Sequence, residues 1–569
     1  MPRAGGRRKL IVHDRRRRPL NGIETIAAIL RQEGVDWLAC FPSNPLITAA
    51  ADLGIRPVAF RHERGAMMAA DGYSRLSGRQ HFGVAAVQSQ AGAENIMGGL
   101  AQAYADNVPV LMFVGGPALH QIAVRPNFSA AEKYRGWVKQ VEAIYRPEDV
   151  PAVMRRAFNA LRNGPPGPVV VELTADVCAQ EVPAETPAYQ SPGLALQRPA
   201  AEAVAAAAEA LLSARKPLLW AGAGVLASGA SAALVQLAEL VAAPVFTTMP
   251  GKSAIDERHP LALGAGCGTT TAAAHAWLAD SDLLLALGSS LTRTPYGQKI
   301  PVGKTVIHNT VSPDDLNKDE AADIALLGDT RLTLEALIEA VESRTGGQPT
   351  GDRAAVEAAV AEINGAWRSE WASALTDDSE PLSYYRVIEA LNTCLDLENS
   401  IVTHDAGAPR DAIVPFYTAT APNSYVGWGK TTHLGFGIPL MIGAKMAAPD
   451  KFCLNLMGDG AFGMSGTDVE TAARAGIAIT TVLLNNSAMA TYSGPTQGTI
   501  GATARARFGV STMQGDYAKI AEGMGATGLR VTTVGELTEA LAKAQRLNAA
   551  GRTVLIDVVA NVEERRSRF

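Results

Sequence analysis

The sequence predicts an α/β protein made of three doubly wound, parallel-sheet domains. The chain has 569 residues, which is too many for one hydrophobic core. Short apolar runs rich in β-branched residues alternate with alanine-rich stretches of helical spacing, as in parallel strands joined by helices. Pro-rich and Gly-rich polar stretches divide this alternation into three blocks. Each block is long enough for one domain.

The three blocks cover residues 20–185, 200–343 and 380–561. The basic run Arg15–Arg18 lies in the preceding segment 1–19, where repulsion between like charges predicts a solvated, disordered tail. The expected strands are 37–41, 57–60, 82–87, 109–114 and 168–173 in the first block, 217–222, 244–249, 283–288 and 305–310 in the second, and 400–406, 451–458, 480–486 and 553–559 in the third.

Net charge and cysteine spacing argue against several classes of protein. The net charge is −5, so the overall balance indicates neither a nucleic-acid partner nor a membrane partner. The five cysteines lie in five different segments without a Cys-x-x-Cys pair, which argues against a zinc site or a disulfide framework. The same pattern favours a reducing, cytoplasmic location. No apolar run approaches the ~20 residues of a membrane span.

The most informative segment is a Gly-Asp-Gly turn with an Asn-Asn pair at the end of the next apolar strand. Asp459 lies between Gly458 and Gly460, and Asn486 ends the following strand. Carboxyl ends of parallel strands meet at one edge of a sheet, so these groups are expected together. With the backbone carbonyl of Ala488 they would offer oxygen ligands to Mg²⁺, which takes the rest from phosphates and water. The alternative is a tight turn and a strand-capping asparagine that bind nothing.

A second candidate site lies in the first block. Glu63 follows the predicted strand 57–60 and begins the alanine-rich stretch in "RHERGAMMAADGYSRLSG" (61–78). A carboxylate at such a position is either a helix cap or a buried acid with a chemical role. The residues alone leave both interpretations open.

Together these motifs resemble those of thiamine diphosphate enzymes. The Gly-Asp-Gly and Asn-Asn pair, the Arg-His-Glu before a small-residue helix, and "GFGIPLMIGAKMAAPDKFCLNLMGDGAF" (435–462) are similar to the acetohydroxyacid synthase, pyruvate oxidase and benzoylformate decarboxylase group. The resemblance extends over residues 20–560. It implies an acetolactate synthase-like enzyme with a pyrimidine-binding first domain, a central Rossmann-like domain and a diphosphate-binding third domain.

The resemblance also implies roles for single residues. Glu63 would hydrogen-bond the pyrimidine ring of the cofactor and promote formation of the nucleophilic ylid. Leu434, before Gly-Phe-Gly, would wedge between the two cofactor rings, and the Thr432 carbonyl would accept from the pyrimidine amino group. Asp459 and Asn486 would be metal ligands. The positions expected around the diphosphate and its Mg²⁺ are Gly407, Ala408, Gly458, Asp459, Gly460, Ala461, Asn486 and Ala488.

Substrate-facing positions depart from the family patterns. Gln88 replaces the catalytic histidine of benzoylformate decarboxylases, and no His-His pair like that of pyruvate decarboxylases is present in the sequence. The Arg and Trp that follow Asn-Asn in acetohydroxyacid synthases are missing from 487–498. These departures argue against a housekeeping acetolactate synthase and suit a neutral carbonyl or dione. The candidate catalytic residues besides Glu63 are Gln88, His120 and Tyr492, and the candidate substrate contacts are Ser43, Asn44, Phe128 and Ser129.

The resemblance implies a thiamine diphosphate- and Mg²⁺-dependent lyase or carboligase that acts on a small 2-keto acid or dione. A non-oxidative 2-keto acid decarboxylase, a dione-cleaving hydrolase and a catalytically silent paralogue are the alternatives. Intact Glu63, Asp459 and Asn486 argue against the silent paralogue. The sequence does not name the donor, the acceptor or the stereochemistry.

Two further expectations concern partners and a second cofactor. Family members bind the cofactor between the first domain of one subunit and the third domain of another, so Glu63 and Asp459 are expected from different chains of a homodimer. A homotetramer is usual in the family. FAD is the weaker expectation for the middle block, because "WAGAGVLASG" (220–229) is a lone Gly-x-Gly turn. A structural Rossmann-like block is preferred.

Overall fold

Each predicted block folds around one six-stranded sheet. The computed structural model describes residues 18–78, 81–489 and 502–569. Every strand pair in the three sheets is parallel, which confirms the predicted fold class. Residues 15–17 of the basic run lie outside the described residues. None of the helices in the described ranges combines the length and the apolar character needed to cross a membrane.

The first domain has the strand order β2-β1-β3-β4-β6-β5. Its strands are β1 (Trp37–Cys40), β2 (Arg56–Ala59), β3 (Gly83–Val87), β4 (Val110–Gly116), β5 (Gln140–Ile144) and β6 (Val169–Thr174). Its helices are α1 (Gly22–Gln32), α2 (Leu46–Asp52), α3 (Glu63–Leu76), α4 (Ala91–Asn95), α5 (Met97–Ala105), α6 (Ala130–Lys133), α7 (Val150–Arg162) and α8 (Ala175–Cys178).

The middle domain has the order β12-β11-β10-β7-β8-β9, the doubly wound order of dinucleotide-binding folds. Its strands are β7 (Pro217–Ala221), β8 (Val245–Thr248), β9 (Ala262–Gly266), β10 (Leu283–Leu287), β11 (Thr305–Thr310) and β12 (Ile324–Leu327). Its helices are α9 (Ala201–Ser213), α10 (Ala223–Ala227), α11 (Ser231–Leu240), α12 (Ala272–Asp280) and α13 (Thr330–Thr345), and α14 (Arg353–Leu375) leads to the third domain.

The third domain has the order β14-β13-β15-β16-β18-β17, which repeats the connectivity of the first domain. Its strands are β13 (Ser400–His404), β14 (Tyr425–Val426), β15 (Phe452–Gly458), β16 (Thr480–Asn485), β17 (Thr527–Val531) and β18 (Val554–Val559). Its helices are α15 (Tyr384–Cys394), α16 (Ala408–Phe416), α17 (Gly437–Ala447), α18 (Asp459–Ser465), α19 (Asp468–Ala475), α20 (Ala502–Phe508), α21 (Tyr517–Gly523) and α22 (Val534–Ala549).

The first and third domains meet where α3 packs against α17. Small residues bring the two helices into backbone contact: a Cβ on Gly443 would lie 1.8 Å from the carbonyl oxygen of Ala69, and one on Gly72 would lie 2.2 Å from that of Leu440. One buried apolar cluster contains side chains from both domains. The first and third domains are therefore joined through a shared apolar core.

Candidate active site

Glu63 is the first residue of α3 and lies at the carboxyl end of β2. Its side chain is only 3% exposed, and Oε2 accepts a hydrogen bond from Asn95 Nδ2 at 3.0 Å. The helix is capped by His62, whose Nδ1 accepts from the N–H of Arg64 at 3.2 Å. The alternative that Glu63 is the helix cap is therefore wrong. Its carboxylate is buried at a sheet edge without a capping role.

Gln88 lies next to this carboxylate. It is half-buried and follows β3, at the same sheet edge as Glu63. A Cβ on Gly92 would lie 2.9 Å from Cβ of Gln88 and 3.3 Å from Oε1 of Glu63. A glycine between the two side chains lets them approach, so the structure brings two of the predicted catalytic residues together.

Asp459 begins α18 directly after β15. It is 3% exposed, and its Oδ1 accepts from the N–H of Gly460 at 2.8 Å. Its Oδ2 is buried and has no hydrogen-bond partner among the residues that the structure describes. Burial raises the pKa of Asp459 to about 6, although the N–H groups of Gly460 and Ser487 act in the opposite direction. A buried, unpartnered carboxylate oxygen is what a cation would stabilise.

Asn486 lies beside Asp459 at the end of the neighbouring strand β16. Its Nδ2 donates to Tyr384 Oη at 2.7 Å, and its Oδ1 accepts from the N–H of Ala488 at 3.0 Å. These bonds fix the amide and the turn that carries the Ala488 carbonyl. The predicted ligand set is thus assembled at the ends of two adjacent strands.

The start of α16 also reaches this turn. Gly407, with φ of 92°, precedes the helix, and no side chain caps the helix start at Ala408. Cγ of Pro409 lies 3.7 Å from the position of a Cβ on Gly458. Pro409, the second residue of α16, has no N–H, so the N–H groups of Ala408 and Arg410 are those left at this helix start to favour an anion. Ala461, also predicted there, is buried in α18.

The loop before α17 is anchored by Asp405, which the sequence reasoning missed. Asp405 follows β13 and is fully buried, and it accepts from the N–H groups of Gly435 at 3.0 Å and Gly437 at 2.9 Å. Burial raises the pKa of Asp405 to about 6, against the effect of these N–H groups. Leu434, in the anchored loop, is partly buried and packs against the cluster shared by the first and third domains. The signal for Asp405 was an acid directly after an apolar strand.

First-domain elements of this chain contact the loop and α18. His433 Nε2 lies 2.0 Å from the position of a Cβ on Gly98, and the Arg64 guanidinium donates to the carbonyl of Met464. The start of α3 therefore lies beside the helix that begins with the candidate metal ligand. The expectation of a site shared between two chains stays a prediction.

Two predicted substrate residues have structural partners instead. Asn44 is buried, and its side chain donates to the carbonyl of Val87 at 2.9 Å and accepts from the N–H of Leu46 at 3.0 Å. Ser129 is buried, and its Oγ bonds Glu172 at 2.6 Å. These bonds hold the turns after β1 and before α6, so both residues have a structural role, and their substrate roles stay predictions.

The remaining predicted residues are more exposed. Ser43 is exposed at the turn after β1, and Phe128 is half-buried. The His120 side chain is 73% exposed and lies 3.9 Å from Asp176. Tyr492 lies outside the described residues. Their roles stay predictions, and His120 is more exposed than the half-buried Gln88.

A cavity of about 200 Å³ borders the Gly-rich turn of the middle domain. A Cβ on Gly222 would lie 2.4 Å from the carbonyl oxygen of Gly288, and one on Gly224 would lie 2.6 Å from Gly288 Cα. These glycines are therefore required for packing one turn against another. That requirement explains the Gly-x-Gly pattern without a phosphate, and flavin binding stays a prediction.

Comparisons with known proteins agree with this geometry. Residues 20–142, 204–337 and 405–558 match the N-terminal TPP binding, central and C-terminal TPP binding domains of thiamine pyrophosphate enzymes. A probable acetolactate synthase large subunit of Methanocaldococcus jannaschii is 29% identical over 96% of this chain and 93% of its own length. Acetolactate synthase isozyme 3 large subunit of Escherichia coli is 28% identical over 96% of each chain. A probable 2-ketoarginine decarboxylase of Pseudomonas aeruginosa is 31% identical over 82% of each chain.

The chain belongs to the family of thiamine pyrophosphate enzymes. Within that class it is an acetolactate synthase-like enzyme. The residues present fit thiamine diphosphate. The unpartnered Asp459 Oδ2 and the uncapped start of α16 suit a metal-bound diphosphate, and the buried Glu63 suits the pyrimidine ring.

Proposed function

We propose that this protein is a thiamine diphosphate- and Mg²⁺-dependent carboligase that acts on a 2-keto acid or dione. The observation that carries the proposal is that each of the two TPP-binding domains carries a buried carboxylate at the carboxyl end of a strand. Glu63 is buried without a capping role, and Asp459 has a buried oxygen that no described residue satisfies. The first suits proton exchange with the cofactor, and the second suits a cation.

When bound, thiamine diphosphate supplies a carbon nucleophile and then an electron sink. Asn95 holds Oε2 of Glu63, which leaves Oε1, on the side of Gly92, to hold or release a proton toward the pyrimidine ring. Leu434 would support the bend of the cofactor from a loop that Asp405 anchors. The chain therefore orients the cofactor through rigid groups on both domains.

The side chains of Asp459 and Asn486 and the carbonyl of Ala488 would bind Mg²⁺. Tyr384 fixes the Asn486 amide, so this ligand is oriented before the ion arrives. The uncapped N-terminus of α16 would contribute the Ala408 N–H to the diphosphate, whereas Pro409 has no N–H to donate.

The histidines near the site favour carboligation over simple decarboxylation. A decarboxylase must protonate its carbanion, and histidine is the usual acid for that step. His62 caps α3, and the side chain of His120 is 73% exposed. His433 packs against Gly98, and burial lowers its pKa, which favours the neutral form. In a carboligation the acceptor carbonyl would form the new C–C bond, and its oxygen would take the proton that the donor hydroxyl gives up on product release, so no separate histidine acid is required.

A decarboxylase is the second candidate. The observation in its favour is the 31% identity with the probable 2-ketoarginine decarboxylase. In that case Gln88, beside Glu63, would orient the substrate, and a solvent proton would complete the reaction.

We also propose a cytoplasmic homo-oligomer, with a dimer as the smallest working unit and a tetramer as the expected form. The relatives are described as large subunits, which indicates proteins that assemble. The five cysteines are all free, which suits a reducing compartment.

Proton NMR with purified protein, Mg²⁺ and thiamine diphosphate tests the proposal. The donors are pyruvate, 2-ketobutyrate, benzoylformate, diacetyl and a cyclic dione, each alone and with an aldehyde acceptor. We expect a new C–C bonded product that requires the cofactor and is lost in Glu63→Gln. An aldehyde as the sole product would favour the decarboxylase. Absence of both cofactor binding and turnover would contradict the proposed function.

A further inference from the structure

The loop 427–434, which carries the candidate cofactor contacts Thr432 and Leu434, is held by the end of α5 in the first domain. Asp106 follows α5 and accepts two backbone hydrogen bonds from the loop, from Gly429 to Oδ2 and from Lys430 to Oδ1, each at 3.1 Å. These bonds fix the entrance of the loop against a different domain.

Gln102, one turn earlier on α5, is fully buried and connects the rest of the loop to Asp106. Its Oε1 accepts from Thr431 Oγ1 at 2.6 Å and from the N–H of His433 at 3.4 Å. Its Nε2 donates to Asp106 Oδ2 at 2.7 Å. One amide thus contacts the residue before Thr432, the residue after it and the acid at the loop entrance.

Thr432 itself has a strained backbone. Its φ is 51°, in the left-handed region that β-branched residues rarely adopt. Such a conformation persists only where the surroundings fix it. Its own N–H donates to the carbonyl of Gly429 at 3.1 Å, and Gln102 fixes the residues on either side. The direction of the Thr432 carbonyl is therefore set by contacts that come from the first domain.

The carboxylate of Asp106 is paired with Arg75, which it shares with the buried Asp71. Arg75 is nearly buried; its guanidinium lies 2.9 Å from Asp106 Oδ2 and donates to the carbonyl of Gly427 at 3.2 Å. A paired acid can stay ionised in a buried setting and keep accepting from backbone N–H groups. The same arginine therefore fixes the start of the loop and the acid that holds it.

We propose that Gln102, supported by Asp106, is a positioning residue that holds Thr432 in the conformation needed to bind thiamine diphosphate. This inference rests on the proposed function. Gln102 does not touch the reacting atoms in this scheme; it acts through Thr431 and His433. Cofactor affinity, and not only turnover, should therefore depend on it.

The test compares Gln102→Met with the matched control Gln545→Met in the whole enzyme. Gln545 is a partly buried glutamine on α22, and its side chain donates to the carbonyl of Cys394. Affinity for thiamine diphosphate at saturating Mg²⁺ is measured by intrinsic tryptophan fluorescence, to which Trp428, in the loop and stacked on His404, contributes. We expect about tenfold weaker binding in Gln102→Met alone.

Thr431→Val removes the same bond from the exposed, loop side, and it tests the proposal even if Gln102→Met does not fold. The double variant, with both Gln102→Met and Thr431→Val, should bind thiamine diphosphate no more weakly than the single variant that binds it less tightly. Both substitutions remove the same hydrogen bond. Hydrogen exchange of 427–434 in the cofactor-free protein should become faster in Gln102→Met and not in Gln545→Met.

Unchanged affinity in both Gln102→Met and Thr431→Val would overturn the inference while leaving the proposed function in place. Weaker binding without faster exchange in the loop would also overturn it. Absence of binding by the unchanged protein would overturn the proposed function as well, so the two failures are distinguishable.

Discussion

The first and third domains share one strand connectivity and differ in what their strand ends carry. α3 follows β2 and α17 follows β14, so the two helices are topological equivalents, and they pack against each other. The first domain places a buried acid, Glu63, at the start of its helix. At the equivalent position before α17, the third domain has a loop without an acidic residue. Its buried acid, Asp459, follows the next strand, β15. Under the proposed function, one connectivity supports a proton-exchanging edge and an ion-binding edge, and the residues at the strand ends decide which is which.

The largest expected effect comes from disrupting the contact between the equivalent helices α3 and α17. Gly443→Ala would put a methyl group 1.8 Å from the carbonyl oxygen of Ala69, and a backbone group cannot move aside easily. We expect a loss of several kcal/mol of unfolding free energy, about 3 kcal/mol or more, measured by denaturant unfolding. Gly365→Ala in α14, where a Cβ meets nothing within 4 Å, is the control and should be neutral or slightly stabilising. Equal stabilities would show that the helices pack less closely than described.

Substitution of Asp459 should affect cofactor retention differently from substitution of Glu63. Asp459→Asn keeps the shape and removes the charge, so the buried site loses its main attraction for a cation. We expect at least about tenfold weaker Mg²⁺-dependent retention of thiamine diphosphate, measured by calorimetry. Glu63→Gln is the comparison variant and should retain cofactor. Equal losses in both variants would contradict the division of roles.

The pH dependence of Mg²⁺ affinity is a further test of the role of Asp459. Burial raises the pKa of Asp459 to about 6, so its neutral form is populated as the pH falls through 6. Protons and Mg²⁺ then compete for the carboxylate, and we expect apparent Mg²⁺ affinity to fall between pH 7 and pH 5. The stability of the metal-free protein should change in the opposite direction to the Mg²⁺ affinity. Burial disfavours the charged form of Asp459, so this group should raise the free energy of unfolding as the pH falls through 6. Flat Mg²⁺ affinity over that range would exclude Asp459 as a ligand.

The smallest expected effect concerns Ser129. Its hydroxyl bonds the buried Glu172 at 2.6 Å, so Ser129→Ala removes a structural bond and should cost about 1–3 kcal/mol of unfolding free energy. We expect kcat/KM to change less than about threefold. A large loss of kcat/KM with unchanged stability would restore the original substrate role of Ser129.

The sequence predicted the interior strands of all three sheets and missed most of the edges. The five strands that were not predicted are β5, β9, β12, β14 and β17, and all of them lie at sheet edges. An interior parallel strand is covered on both faces and reads as a continuous apolar run, as in β16. An edge strand such as β17 is only partly buried and carries polar residues and glycine, so its composition does not stand out.

Some site residues could likewise be predicted from the sequence, and others could not. Glu63, Asp459 and Asn486 could be predicted because each stands at a strand end in a recognisable motif. Asp405 and Gln102 were missed because their importance depends on which loop packs against them, and that follows from the contact between domains. Asn44 and Ser129 looked like substrate contacts because turn residues at a sheet edge can serve either role. Their hydrogen-bond partners show the structural role, which the sequence does not reveal.

The central claim is that Glu63 activates bound thiamine diphosphate, and hydrogen–deuterium exchange at the thiazolium C2 position tests it without knowledge of the substrate. The protein is loaded with Mg²⁺ and cofactor, exposed to D₂O, quenched with acid and read by proton NMR. We expect exchange far faster than in free cofactor, and a fall of about 100-fold or more in Glu63→Gln at equal cofactor occupancy. Equal exchange rates in the two proteins would contradict the account.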